Sequence, residues 1–231
     1  MLYWLTDNMG FPPVEDAEEW GGIALGGDLS PKRLLLAYRS GIFPWYEKGQ
    51  PIIWHAPDPR FVLFPDELKI SKSMRPIFNQ NKFDISLDTD FHSVIQNCQQ
   101  SNRKGQHGTW ITEEMLEGFT QMYELGYAHS VEVRQDGELV GGLYGVSLGK
   151  IFFGESMFSR VSNASKAGFI RLVQELKKRK FNLIDSQVHT PHLESLGARH
   201  ISRDRYMKLL DKSIYQTTYQ GAWTSWLKEE K

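Results

Sequence analysis

Two short runs carry the residues best suited to acid–base work. In FNLIDSQV, Asp185 and Gln187 stand two apart behind the apolar pair Leu183 and Ile184. Strand residues two apart project from one face, so a carboxylate and a carboxamide would lie side by side on what reads as a central strand. In KIFFGESMF, the same alternation puts Phe153, Glu155 and Met157 on one face, with an acid between apolar neighbours. A carboxylate among apolar strand residues is costly unless it is paired or used. Used, it could take a proton from a nucleophile or orient one. Paired, it would cap a helix or meet an Arg or Lys, and spacing alone leaves both open.

Other constellations are weaker. GESMFS begins like a serine nucleophile elbow but lacks the second Gly and reads as strand, so Ser156 is not expected to be a nucleophile. His189, His192 and Glu194 form no HExxH or other closed ligand set and are expected to be solvated or packed; no metal is expected. LGGDLSPKR lacks the order of a phosphate loop. Basic residues gather at KISKSMR (69–75), Arg103-Lys104, KKRK (177–180) and RHISRDR (199–205). Each reads as solvated surface unless several converge into a phosphate track. Trp45, Trp54 and Trp110 sit in loop-like contexts, where they could stack on bases or close small cores.

The whole composition narrows the classes. A net charge of −1 excludes binding to nucleic acid by bulk charge, so any such site must be a local patch. The single cysteine, Cys98, excludes an internal disulfide and a thiolate zinc site. No apolar run approaches the roughly 20 residues of a membrane span. The start, MLYWLTDNMGFPP, has Asp7 and prolines where a signal peptide needs a basic and then an apolar stretch. A cytoplasmic protein is expected, and the lack of an exposed heptad favours a monomer.

The elements that must hold these residues are legible in part. The first 60 or so residues are rich in Gly, Pro and Trp and read as a small loop-rich unit with one helix, started by Ser30-Pro31 and stopped by Gly41. From Phe61 the spacing predicts a helix near 71–80 interrupted by Pro76, a strand near 83–87, a helix through 90–100, and a helix from Thr112 to Leu125. Then VEVRQ, the turn Asp136-Gly137 and ELVGGLYGVSL form a hairpin, and a turn at Gly149 leads into KIFFGESMF. Phe169, Leu172, Val173 and Leu176 recur at helical spacing within 163–180, before the strand FNLIDSQV. The order is β-β-β-α-β, in an α+β fold divided at 1–60 and 61–231.

Taken together and in order, GGDLSPKRLLLAYRSGIFPWY, WHAPDPR, TWIT, GESMFSRVSNASK and LIDSQV closely resemble the leucyl/phenylalanyl-tRNA–protein transferases, from about Leu5 to Ser202. The resemblance implies a small N-terminal domain before a larger N-acetyltransferase-like domain, a mixed sheet with flanking helices. It implies passage of Leu or Phe, with Met as a further candidate, from aminoacyl-tRNA to the α-amine of proteins beginning with Arg or Lys, marking them for degradation. No R-x-x-G-x-G/A pyrophosphate loop precedes the helix at 163–180, where RVSNASKAG stands instead, which disfavours a coenzyme A acyltransferase. A non-catalytic adaptor for basic N-termini is the other alternative.

An aminoacyl ester is already activated, so no cofactor, ATP or metal is expected. The acceptor amine, with a pKa of about 8, must lose a proton and be aimed at the carbonyl. The resemblance gives that work to Asp185 and Gln187, with Glu155 beside them. It places the donor side chain among Leu143, Phe152, Phe169, Leu172 and Ile184, where Leu143 and Phe169 depart from the family's usual methionine and smaller aliphatics. It gives the terminal adenosine to Trp45 and Trp110, with His55 where another Trp is common.

Overall fold

The computed structural model describes residues 2–6, 10–101 and 111–227. Two sheets organise them. The smaller contains β1 (Tyr3–Leu5), β2 (Gly22–Gly26), β3 (Phe43–Pro44) and β4 (Ile53–His55) in the order β1-β2-β4-β3. The larger has seven strands, β5 (Arg60–Leu63), β6 (Asp84–Leu87), β7 (Ala128–Gln135), β8 (Glu138–Leu148), β9 (Ile151–Ser159), β10 (Leu183–Gln187) and β11 (Arg199–Ile201). Their order is β11-β5-β10-β9-β8-β7-β6. All its pairings are antiparallel except β9 with β10, whose connection contains a long helix, as a parallel crossover requires.

The helices are α1 (Pro31–Arg39), α2 (Arg75–Asn79), α3 (Phe91–Gln100), α4 (Glu113–Glu124), α5 (Ala164–Lys178), α6 (Pro191–Glu194) and α7 (Arg203–Ile214). Their starts follow local chemistry: Ser30, Asp90, Thr112, Thr190 and Ser202 each accept a backbone N–H three residues on. The predicted helix near 71–80 is a 3₁₀ turn at Lys72–Met74 followed by the short α2. Pro76 does not interrupt it but lies in its first turn, where the missing N–H has no intrahelical partner to lose.

The large sheet separates two apolar layers. On one face Tyr144, Val146, Phe153 and Leu183 pack with α1, α3, α4, α7 and the smaller sheet in one continuous core. On the other Leu143, Phe152 and Ile184 pack with α5 and with Trp223 and Trp226 near the C-terminus. The expected β-β-β-α-β order is β7-β8-β9-α5-β10, and the α+β architecture is a mixed sheet with helices on both faces. Trp54 is not available to a ligand: it is fully buried on β4, and its indole Nε1 donates to the Gly26 carbonyl at 2.9 Å. Among the described residues no helix is long and apolar enough to cross a membrane.

Candidate active site

The parallel pair stops short of its ends. β9 and β10 are in register at Leu183–Ile151, Ile184–Phe152 and Asp185–Phe153, and no further. Beyond that point each strand is bulged against its outer neighbour. On β9, Tyr144 pairs with Ser156 and Gly145 with Gly154, leaving Glu155 without a partner on β8. On β10, Asp185 pairs with Val62 and Gln187 with Phe61, leaving Ser186 as the extra residue. Bulges re-aim side chains and break alternation. Here they open a cavity of about 290 Å³ between the strands, lined by Gly154, Glu155, Ser186 and Gln187 among others.

The β9 bulge corrects one expectation. Phe153 and Glu155 do share a face, since the Tyr38 ring packs 4.9 Å from Phe153 and its hydroxyl reaches Glu155. Met157 does not join them: the extra residue turns it to the opposite face, against the layer that holds Phe152. The β10 bulge shifts the register against β5 between Asp185 and Gln187. Gln187 adopts a left-handed φ of 64°, an uncommon conformation for a residue with a Cβ.

Asp185 is fully buried and its two oxygens meet four donors. Oδ1 accepts from Arg60 Nε and from the Gln187 backbone N–H, both at 2.9 Å. Oδ2 accepts from Arg60 Nη2 at 2.7 Å and from the Tyr206 hydroxyl at 2.8 Å. Arg60 is itself sandwiched between the Phe43 and Tyr206 rings, 4.7 and 4.6 Å from their centroids, and donates to the Gly41 carbonyl. Burial disfavours its cation, but Asp185 outweighs that and holds the guanidinium pKa above its usual value. A bidentate pair of this kind fixes orientation as well as charge.

Glu155 differs. Its Oε1 accepts from Tyr38 Oη and from Gln187 Nε2, each at 2.8 Å, while its buried Oε2 has no hydrogen-bond partner among the described residues. Burial, and then the Asp185 charge, push its pKa up to about 7, against the opposing hydrogen bonds from Tyr38 and Gln187 and the Arg60 cation. A carboxyl poised near neutrality with one oxygen unengaged can exchange a proton with a bound nucleophile.

Of the five residues expected around the donor side chain, Leu143, Phe152, Phe169 and Ile184 line the cavity. Leu172 does not reach it and lies buried in the layer behind. Trp45 stands at the cavity, 37% exposed, and its carbonyl oxygen is 2.8 Å from His55 Nε2. Trp110 lies outside the described residues.

Nearly all of these residues, though not Arg60, fall within two stretches that match a known family. The model described as leucyl/phenylalanyl-tRNA protein transferase matches residues 62–211, and that of its N-terminal domain residues 27–58. The chain belongs to this family. A leucyl/phenylalanyl-tRNA–protein transferase of Flavobacterium johnsoniae is 56% identical over 209 residues, covering 90% of this chain and 99% of its own. That of Syntrophus aciditrophicus is 58% identical, covering 93% and 90%. That of Pseudomonas entomophila is 52% identical, covering 99% and 100%. Among solved structures, a GCN5-related N-acetyltransferase from Kribbella flavida superposes with a TM-score of 0.40 at 9% identity, over 71% of this chain and 58% of its own.

Several residues around this cavity carry no signal of such a place in the sequence. Tyr38 reads as a core position of α1, Arg60 as the end of a motif, and Tyr206 as one residue of α7. His192, expected to be solvated or packed, lines the cavity. Its pKa is lowered by burial and then by Lys166, and its Nε2 is buried without a hydrogen-bond partner among the described residues. His189 pairs instead with Glu194 at 3.0 Å on the surface.

The basic clusters divide by their partners. Lys177 pairs with Asp66, Lys178 and Arg179 with Glu175, and Arg199 with Glu67. Lys69, Lys72 and Arg75 are exposed and, among the described residues, in no ion pair. Arg103 and Lys104 lie outside those residues.

Proposed function

We propose that this protein transfers Leu or Phe, with Met as a further candidate donor, from aminoacyl-tRNA to the N-terminal α-amine of proteins that begin with Arg or Lys. The observation that carries the reading is the junction of an apolar cavity with the Glu155–Gln187 pair, where the sheet opens between β9 and β10. The donor side chain enters among Leu143, Phe152, Phe169 and Ile184, and Trp45 takes the terminal adenosine face on, with Trp110 as its partner. Residues 61–231 form the catalytic domain, and residues 1–60 serve it by supplying Tyr38, Phe43 and Trp45.

In the reaction the amine nitrogen attacks the ester carbonyl carbon, its proton passes to Glu155 Oε2, and the terminal ribose oxygen leaves and is protonated in turn. Gln187 donates to Glu155 and can accept from the incoming amine through its carbonyl oxygen, aligning nitrogen and base. Asp185 has all its acceptor capacity engaged, so we assign it to orientation: it pins the Gln187 backbone in its left-handed conformation and is held there by Arg60 and Tyr206. Because Asp185 is balanced by Arg60, the Glu155 carboxylate is the acid that favours a cationic N-terminal residue. The product would be marked for degradation in the cytoplasm.

The test is transfer of labelled Leu from charged tRNA to peptides that differ only in their first residue. Arg- and Lys-starting peptides should be modified and an Ala-starting one not. Binding of the Arg peptide without transfer would favour an adaptor, and calorimetric binding of coenzyme A would favour a thioester donor; either result overturns the proposal.

A further inference from the structure

We propose that Trp223, in the segment after α7, is a positioning residue that sets which donor side chains the cavity admits. The inference rests on the assignment of that cavity to the donor. Residue 223 lies beyond 211, where the family match ends.

Phe152 forms part of the cavity wall, and two neighbours constrain its ring. One is Gly145, where an added Cβ would stand only 2.6–2.7 Å from the Phe152 ring, so the ring already lies against bare backbone. The other is Trp223, 6.2 Å away between centroids and tilted by 44°. Phe152 cannot retreat into the Gly145 backbone, and it can retreat toward Trp223 only if Trp223 moves.

Trp223 is not free to move. It is 1% exposed and stacked between His129 at 3.5 Å and Trp226 at 3.9 Å, both within 11° of parallel. Its backbone N–H donates to Asp88 Oδ2 at 2.7 Å, the same oxygen that lies 2.8 Å from His129 Nδ1. Its indole Nε1 donates to the Tyr219 carbonyl at 2.9 Å. A ring fixed by a buried carboxylate and two stacking partners makes the wall in front of it stiff, because close-packed interiors pass a constraint on rather than absorb it. The depth available to a donor side chain therefore depends on a residue that never touches it.

The experiment compares kcat/KM for Phe-tRNA and Leu-tRNA donors with one Arg-starting peptide, in wild type, Trp223→Leu, Trp223→Phe and Phe152→Leu. The ratio of the two donors is internal to each preparation, so loss of folded enzyme cancels. Trp223→Leu should move the ratio about tenfold toward the larger Phe donor, the scale of a methylene-sized change in an apolar pocket. Trp223→Phe, which keeps an aromatic ring behind the wall, should move it less and serves if the Leu variant does not fold. An unchanged ratio in both Trp223 variants beside a shifted one in Phe152→Leu would overturn the inference and leave the cavity assignment standing. No shift in any variant would overturn both.

Discussion

Tyr38→Phe removes one oxygen from the site and keeps the ring that packs 4.9 Å from Phe153. The oxygen is one of two donors to Glu155 Oε1, at 2.8 Å. Hydrogen bonds to a charged acceptor contribute about 1.5–3 kcal/mol, and the neutral acid still accepts a weaker one, so roughly half of that separates the two protonation states. With about 1.4 kcal/mol per pKa unit, the loss should raise the Glu155 pKa by about one unit. Burial has already lifted it to about 7, and the Tyr38 hydrogen bond works in the opposite direction. A proton acceptor must be ionised, so activity falls as pH drops through its pKa, and raising that pKa carries the acid limb to higher pH. The variant should thus be impaired near neutrality and approach wild type in alkali. The assay is kcat/KM for labelled Leu transfer across pH in both enzymes, where titration of the acceptor amine is common to both and cancels. An acid limb that stays in place, with rate lost equally at every pH, would refute Glu155 as the acceptor.

Stability should follow the same carboxyl. A group whose folded pKa lies above its unfolded value favours folding below the unfolded pKa and loses that contribution as pH rises through the folded one, here from the ordinary carboxylate range up to about 7. Glu155→Gln should flatten this part of the Tm–pH curve. Asp185→Asn and Gln187→Ala should each lower turnover roughly 10²-fold or more with tRNA affinity near wild type. The double variant should be little worse than the poorer single one, because the two act as a unit. Asp185→Asn should also lose about 3–5 kcal/mol of stability, since it leaves the buried Arg60 without its counter-charge, so rates are compared per folded enzyme. Near-normal turnover in both single variants removes the pair from the mechanism. Lys69, Lys72 and Arg75 changed together to Ala should flatten the dependence of log affinity for tRNA on log salt, by about 0.9 for each phosphate no longer neutralised. An unchanged slope would make them plain solvated surface.

What is legible in the sequence is local. The Asp136-Gly137 turn, the Thr112 cap and the spacing of Phe169, Leu172, Val173 and Leu176 each specify a short stretch by its own chemistry, and β7, β8, α4 and α5 stand where these signals put them. What is hidden is long in range or breaks a period. Arg60 meets Asp185 across 125 residues and Tyr38 meets Glu155 across 117, and no spacing announces either contact. Strict alternation misplaces Met157 because it takes no account of a bulge. Leu172, set in the donor pocket by the resemblance, lies in the layer behind, because helical spacing says which residues face the sheet but not which of them stands at a gap in it. Trp54 looks free because a three-residue strand in a Gly- and Pro-rich run gives no periodic signal.

The two bulges explain why acids are tolerated here at all. In an unbroken sheet Glu155 would face a partner residue on β8 and Gln187 would follow Asp185 on the same face, and no cavity would separate β9 from β10. One extra residue on each strand, at the same level, ends the parallel pairing and frees Glu155 and Gln187 to meet each other at 2.8 Å. The cost is a left-handed Gln187, a conformation a residue with a Cβ keeps only when its surroundings impose it. Asp185 imposes it through the Gln187 N–H, and Arg60 and Tyr206 keep Asp185 from turning toward the cavity. The two acids therefore differ by their partners: the one fully satisfied by donors maintains the bulge, and the one with an oxygen left over lines the cavity.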